Sequence, residues 1–236
     1  MRDQASCGAC TAFDVIGAFE CNYHLKYGEF IDLSEQDLFM CSGGHCYTGN
    51  YMPPVLNRAL RGIPLESCVP YRGFDTLCGM RDCSEWWLGG KRLASWRLLN
   101  GISDMRDAIQ EGALAGTMAV YQSFLNYKSG VYHKLANDQL AGYHGITIVG
   151  VDDELGAWKL KNSWGEGWGM DGYCWLQFGD SEIEDESYAI MIDGAVEPDP
   201  PTPSPCNIGK GWARAQNVIP WALRRKGRLF YLDPPS

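Results

Sequence analysis

The sequence is poor in the features that mark nucleic-acid, membrane and zinc proteins. Its 20 Lys and Arg are outnumbered by 29 Asp and Glu, for a net charge of −9 and a pI near 4.9. A chain of that sign is repelled by phosphate backbones and anionic bilayers, so neither nucleic acid nor membrane is an expected partner. No apolar run approaches the roughly 20 residues that a membrane-spanning helix needs. Histidine is scarce, with four in 236 residues. No HxxxH pair occurs, and the CxxC of Cys7 and Cys10 has no second CxxC at ribbon spacing. A zinc site therefore lacks its ligand set, and no metal is expected. No signal-peptide pattern precedes Cys10, and no internal repeat is found.

Cysteine is plentiful instead. The ten are Cys7, Cys10, Cys21, Cys41, Cys46, Cys68, Cys78, Cys83, Cys174 and Cys206. That density points to disulfides and an oxidising location. If one of the ten is a free nucleophile, nine remain, and at least one more thiol must stay unpaired. Pairing is not readable from spacing, and Cys68 with Cys83 is only one possibility. Apolar residues make up 45% of the chain, with 9 Trp, 12 Tyr and 8 Phe, enough for a packed core.

Residues 10 to about 26 have the apolar pattern of a helix. Ser34 is placed to cap a second, with Asp37 three residues on. Pro53 to Arg61 reads as a third helix, closed by Gly62, and Asp104 to Ala115 as a fourth. Between them lies a Cys- and Gly-rich loop region, 62–90. Residues 117–121, 145–150, 157–161 and 172–177 have β-type composition or alternation. Helices followed by strands predict an α+β protein of two packed lobes, a helical one over 1–97 and a β-rich one over 98–196. Residues 197–206 are a Pro-rich linker. Residues 207–236 form a basic tail, with Lys210, Arg214, Arg224, Arg225, Lys226 and Arg228 against Asp233. Its Trp212, Trp221, Phe230 and Tyr231 argue against a purely disordered tail, and its role is unassigned.

Amide hydrolysis without a metal requires a nucleophile, a base, a group to orient the base, and donors for the oxyanion. Cys10 stands at the start of the first helix, where the positive dipole end favours a thiolate. His144 sits between the short Ala141-Gly142-Tyr143 loop and a β run. Asn162 follows another strand, where its amide oxygen can fix an imidazole. Gln4, six residues before Cys10, can aim an N–H at the same point as the Cys10 backbone.

The wording around these residues is more specific than the roles. The segment Gln4-Ala5-Ser6-Cys7-Gly8-Ala9-Cys10 resembles the nucleophile segment of the papain and cathepsin family of cysteine proteases. His144 follows Cys10 by 134 residues and Asn162 by 152, within or close to the family's spacing of about 130–150. Leu33-Ser34-Glu35-Gln36-Asp37-Leu38 before Cys41, Tyr143-His144-Gly145, and Asn162-Ser163-Trp164-Gly165 through Gly172-Tyr173 resemble its other landmarks.

The resemblance implies the papain-like fold, with a helical N-terminal lobe, an antiparallel β-barrel-like C-terminal lobe and the active cleft between them. It implies endopeptidase activity through Cys10, His144 and Asn162, with Gln4 in the oxyanion site and no cofactor. Trp164 would cover the His144–Asn162 bond, and Gly49, Gly142, Tyr143 and Glu186 would contact substrate, Glu186 at the floor of the S2 pocket. Cys7 would pair with Cys46, and Cys41 with Cys78. The implied partners are polypeptide substrates and a propeptide or cystatin-type inhibitor, for a monomer that is secreted or lysosomal/vacuolar. Family chains begin earlier, after a signal peptide and propeptide, so this chain is expected to be part of a longer precursor. Three departures stand out. Thr11 replaces an aromatic, Thr48 replaces the first glycine of a substrate-binding pair, and no Cys ahead of His144 is available to Cys174, which is expected to be a buried thiol.

Taken singly, these residues have plainer readings. A helical Cys is usually a small core hydrophobe, an Asn after a strand caps a loop, and Glu186 is more often a solvated acid. A silent peptide-binding relative and a Cys-His acyltransferase remain as alternatives.

Overall fold

The computed structural model describes residues 1–192; the linker 197–206, the basic tail 207–236 and Cys206 lie outside the described residues. The chain begins with α1 (Cys10–Tyr27), α2 (Glu35–Cys41) and α3 (Met52–Ala59), then a single 3₁₀ turn at Trp86–Leu88. Next come β1 (Leu93–Leu98), α4 (Gly101–Ile109), β2 (Leu114–Tyr121) and the one-turn α5 (Gln122–Leu125). The remaining strands are β3 (Val131–Tyr132), β4 (Leu140–Asp152), β5 (Ala157–Lys161), β6 (Tyr173–Gln177) and β7 (Ser187–Ile192).

Every residue of α1 from Cys10 to Phe19 is buried, which is why its apolar pattern wraps the helix rather than marking one face. Ala9 at its N-cap has no side chain to bond the first N–H groups, and Gly28 ends it in the left-handed conformation. Ser34 caps α2 by accepting the Asp37 N–H at 3.0 Å. Pro53 and Pro54 open α3, where the N–H groups they lack have no helical partner anyway.

The seven strands form one sheet in the order β1-β7-β2-β4-β5-β6-β3. It is antiparallel except for the short β3–β6 pair, which is parallel. Two cores result. One packs the helices on Leu93, Ala113, Ala115, Tyr188, Ile190 and Ile192. The other gathers Phe124, Tyr127, Tyr132, Trp158, Trp164 and Trp168 with apolar residues of β2, β4, β5 and β6. Disulfides join Cys7 to Cys46, Cys41 to Cys78 and Cys68 to Cys83. Cys10, Cys21 and Cys174 are free, the first and last of them buried.

Three expectations shift. The fourth helix begins at Gly101 and ends at Ile109 instead of spanning 104–115, because Leu114 and Ala115 are already in strand β2. The run 141–143 is strand, not loop: β4 starts at Leu140 because β2 pairs with it along its whole length. Strands β1 and β7 escaped the sequence reading, and β1 crosses the 97/98 position where the lobes were divided.

Candidate active site

Where the two cores meet, glycine permits close approach. Gly145 of β4 lies so near the start of α1 that a Cβ there would be 3.0 Å from the Thr11 Cα and 3.1 Å from the Cys10 carbonyl carbon. Two residues later, Thr147 crowds Gly17 of α1, whose Cβ would come within 2.6 Å of the Thr147 Oγ1. The strand carrying His144 is thus seated on the helix carrying Cys10. The missing aromatic at position 11 leaves Thr11 buried, with its hydroxyl lacking a protein partner.

His144 is fully buried. Its Nε2 lies 2.8 Å from Asn162 Oδ1, and the same oxygen accepts the Ser163 N–H at 2.8 Å. Asn162 is set just beyond β5 by its own N–H donating to Gly172 O at 2.9 Å. The indole of Trp164 covers the pair, with ring centroids of His144 and Trp164 4.7 Å apart. With Nε2 engaged, the other ring nitrogen, Nδ1, is buried and has no partner. That arrangement orients an imidazole with one nitrogen in reserve.

Gln4 is fully buried and held from four directions. Its backbone N–H donates to Ser163 O at 2.9 Å, and its carbonyl accepts from Tyr71 Oη at 2.8 Å. Its side-chain Oε1 accepts from Ser163 Oγ at 2.6 Å, while Nε2 donates to Cys7 O at 2.9 Å, leaving the second amide N–H. Ser163 was not singled out from sequence. Its place inside the Asn-Ser-Trp-Gly run was the available signal, since a residue between a catalytic-type Asn and its covering Trp must face the same seam.

Burial governs the ionisation. It pushes the Cys10 thiol up to about 11, against the N–H groups of Gly145 and Thr11, which favour the thiolate. It pushes His144 down to about 4, against the bond to Asn162, which favours the imidazolium. Taken one at a time, both groups are neutral across the physiological range.

The outer residues are less uniform. Gly49 has the left-handed φ of 72°, which favours glycine, but its N–H is already given to His45 O at 2.7 Å. Its carbonyl in turn accepts the His45 N–H at 3.4 Å, so both of its main-chain groups face His45. Gly142 and Tyr143 lie in β4 opposite Val120 and Ala119, and Tyr143 Oη donates to Glu182 Oε2 at 3.3 Å. Glu186 is half-buried and accepts from Tyr188 Oη at 2.9 Å; burial raises its pKa. Among the described residues no group of three or more His, Cys, Asp or Glu could hold a metal ion. No helix among them is long and apolar enough to cross a membrane.

The comparisons agree with this geometry. A family model described as "Papain family cysteine protease" matches residues 1–191. Cathepsin L 1 of Paramecium tetraurelia is 31% identical over 186 residues, covering 77% of this chain and 56% of that protein. The thiol protease aleurain of Arabidopsis thaliana is 32% identical over 192 residues, 76% of this chain and 52% of its own. Cathepsin B-like CP1 of Giardia intestinalis is 31% identical over 208 residues, 81% and 68% respectively. The chain thus spans little more than half the length of cathepsin L 1 and aleurain. Among solved structures, the bromelain protease of Ananas comosus in complex with the E64 inhibitor superposes with a TM-score of 0.69. It is 25% identical, over 82% of this chain and 93% of that one. A cysteine protease of Carica candamarcensis in complex with E-64, 22% identical with the same TM-score, shares the fold. With the family model spanning most of its length and relatives of 31–32% identity beside it, the chain belongs to the papain family of cysteine proteases.

Proposed function

We propose that the protein is a cysteine endopeptidase that cleaves extended polypeptides through an acyl-enzyme on Cys10. The observation that carries this is the unpartnered, buried Nδ1 of His144, on a ring fixed by Asn162, on a strand seated against the Cys10 backbone. In this reading Nδ1 takes the thiol proton as the sulfur attacks the peptide carbonyl and forms the C–S bond. The oxyanion is held by the Cys10 N–H, left uncapped at the helix start, and by the second N–H of Gln4 Nε2. His144 gives its proton to the leaving amine as the C–N bond breaks. Water, deprotonated by the same imidazole, then releases the acyl group.

The two-lobe division, the contacts of Gly142 and Tyr143 with substrate, and the S2 role of Glu186 belong to the same proposal. So does a secreted or lysosomal/vacuolar location, as for a cathepsin or aleurain. The burial of Cys10 and His144 supports a second reading, a peptide-binding relative that does not hydrolyse.

The test is a P2-varied fluorogenic peptide panel at acidic and neutral pH, with and without thiol reductant, on wild type and Cys10→Ala. The proposal expects cleavage and labelling by a thiol-directed epoxide in the wild type, both abolished in the variant. Epoxide labelling without cleavage would favour the binding reading. Cleavage that survives in Cys10→Ala would rule out the mechanism.

A further inference from the structure

Asp14 is buried, with 2% of its surface exposed, and takes no part in the chemistry above. It stands one helical turn beyond Cys10, on the same face of α1. Its Oδ2 accepts the N–H of Gly116 in β2 at 3.0 Å, and its main-chain carbonyl accepts from Thr147 Oγ1 in β4 at 3.1 Å. Both bonds leave the nucleophile's helix for the sheet. Gly116 is two residues from Met118, the partner of His144 in the β2–β4 register, and Thr147 is three residues past His144 itself. A further side-chain tie from α1 to the sheet, Asn22 with the main chain of Ala113, lies twelve residues from Cys10, some 18 Å along the helix at about 1.5 Å per residue.

An ionisable group deep in an interface is costly unless it is hydrogen-bonded or paired. Burial holds Asp14 well above the usual carboxylate range, with Lys161 pulling the other way. The second carboxyl oxygen, Oδ1, has no protein partner, and Asp14 lines a cavity of about 10 Å³ with Gly145, Thr147, Lys161 and Asn162, room for about one water.

We propose that Asp14 is a positioning residue for the reaction, clamping the Cys10 helix to the two strands that set the place of His144. This rests on Cys10 and His144 being the reacting pair. Loss of the clamp lets helix and sheet slide by a fraction of an ångström, and misplacement of that order costs up to about a hundredfold in rate.

The experiment uses the full chain as wild type, Asp14→Ala, Asp14→Asn, Thr147→Val and, as a stability control in the distant helical core, Leu56→Ala. Each is measured for kcat, KM, the rate of Cys10 alkylation by iodoacetamide, and Tm. Asp14→Ala is expected to lower kcat and alkylation about ten- to a hundredfold with KM within about twofold. Asp14→Asn, which keeps an oxygen for Gly116, should restore most of the loss. Thr147→Val should fall between, and Leu56→Ala should lower Tm without lowering kcat. Should Asp14→Ala fail to fold, Asp14→Asn and Thr147→Val decide. Wild-type rates in Thr147→Val, wild-type rates in Asp14→Ala, or an Asn variant as poor as the Ala variant would overturn the clamp. A kcat loss in Leu56→Ala matching that of Asp14→Ala would do the same. A wild type that neither cleaves nor labels at Cys10 would sink the protease reading as well. A wild type that labels beside an unaffected Asp14→Ala sinks this inference alone.

Discussion

The region up to residue 92 and the region from β1 onward are held together by different means. The first has three helices and a long stretch, 62–92, with almost no regular hydrogen-bonded structure, and it holds all three disulfides. The second has none among its described residues and relies on a seven-stranded ladder backed by aromatic rings. Backbone groups that pair in a ladder need no cross-links, whereas loops that pair poorly are held by closing them covalently. Cys10 lies in the first region and His144 in the second, so their relative placement depends on both.

Reduction should separate the two regions most strongly. The bridges close separations of 39, 37 and 15 residues, and cross-links of such lengths stabilise by about 3–4 kcal/mol each. Under reductant, hydrogen exchange should rise first across residues 1–92, with β2, β4 and β5 protected longer. A uniform rise would erase the contrast.

Single side chains come next. Asp37, 1% exposed, accepts from Arg58 at 2.6 Å and pairs with Arg81 at 3.2 Å. Asp37→Ala removes the buried carboxylate that both arginines share and should cost about 3–5 kcal/mol. In the other region Phe124 touches Tyr127, Tyr132, Trp164 and Trp168, and Phe124→Ala should cost a similar 3–5 kcal/mol, roughly, through the cavity it leaves. Denaturant unfolding checks both. The sharper readout is local, since each loss should appear in the exchange of its own region first.

The smallest effect is that of pH. Burial raises Glu35 to about 8 and Glu20 to about 7, both in the helical region. The folded chain therefore keeps protons that the unfolded chain loses near its ordinary glutamate value, and stability falls as pH rises through 7 and 8. His144, lowered to about 4, acts in the opposite sense but only below its unfolded value of about 6.5. The clean window is therefore pH 6.5 to 8, across which Tm should drop by several degrees. Glu35→Gln should flatten that slope, and an unchanged slope would contradict the assignment.

What the sequence disclosed and what it hid follow the same division. Cys10, His144, Asn162 and Gln4 stood out as candidates because each lies in a short run that resembles a family landmark. The helix of Cys10 and the cap at Ser34 were legible because helices are local. Strands β1 and β7 were not, since their partners lie almost a hundred residues apart in the chain. The start of β4 was hidden by Gly142, a loop-like residue that its pairing with β2 holds extended. Asp37 looked like a helix-cap residue and proved also to anchor two arginines. Nothing local marks Asp14, because a sequence does not reveal that a helix is buried on every side.

The central claim is that a thiol and an imidazole from different regions act as one unit. The direct measurement is the rate of Cys10 alkylation against pH in wild type and His144→Ala. With His144 as the proton acceptor, the wild-type rate should rise through an acid limb near pH 4 and stay on a plateau through neutrality. His144→Ala should lose that plateau and react only as the isolated thiol ionises, toward pH 11. Superimposable profiles would show that the sulfur and the ring do not work together.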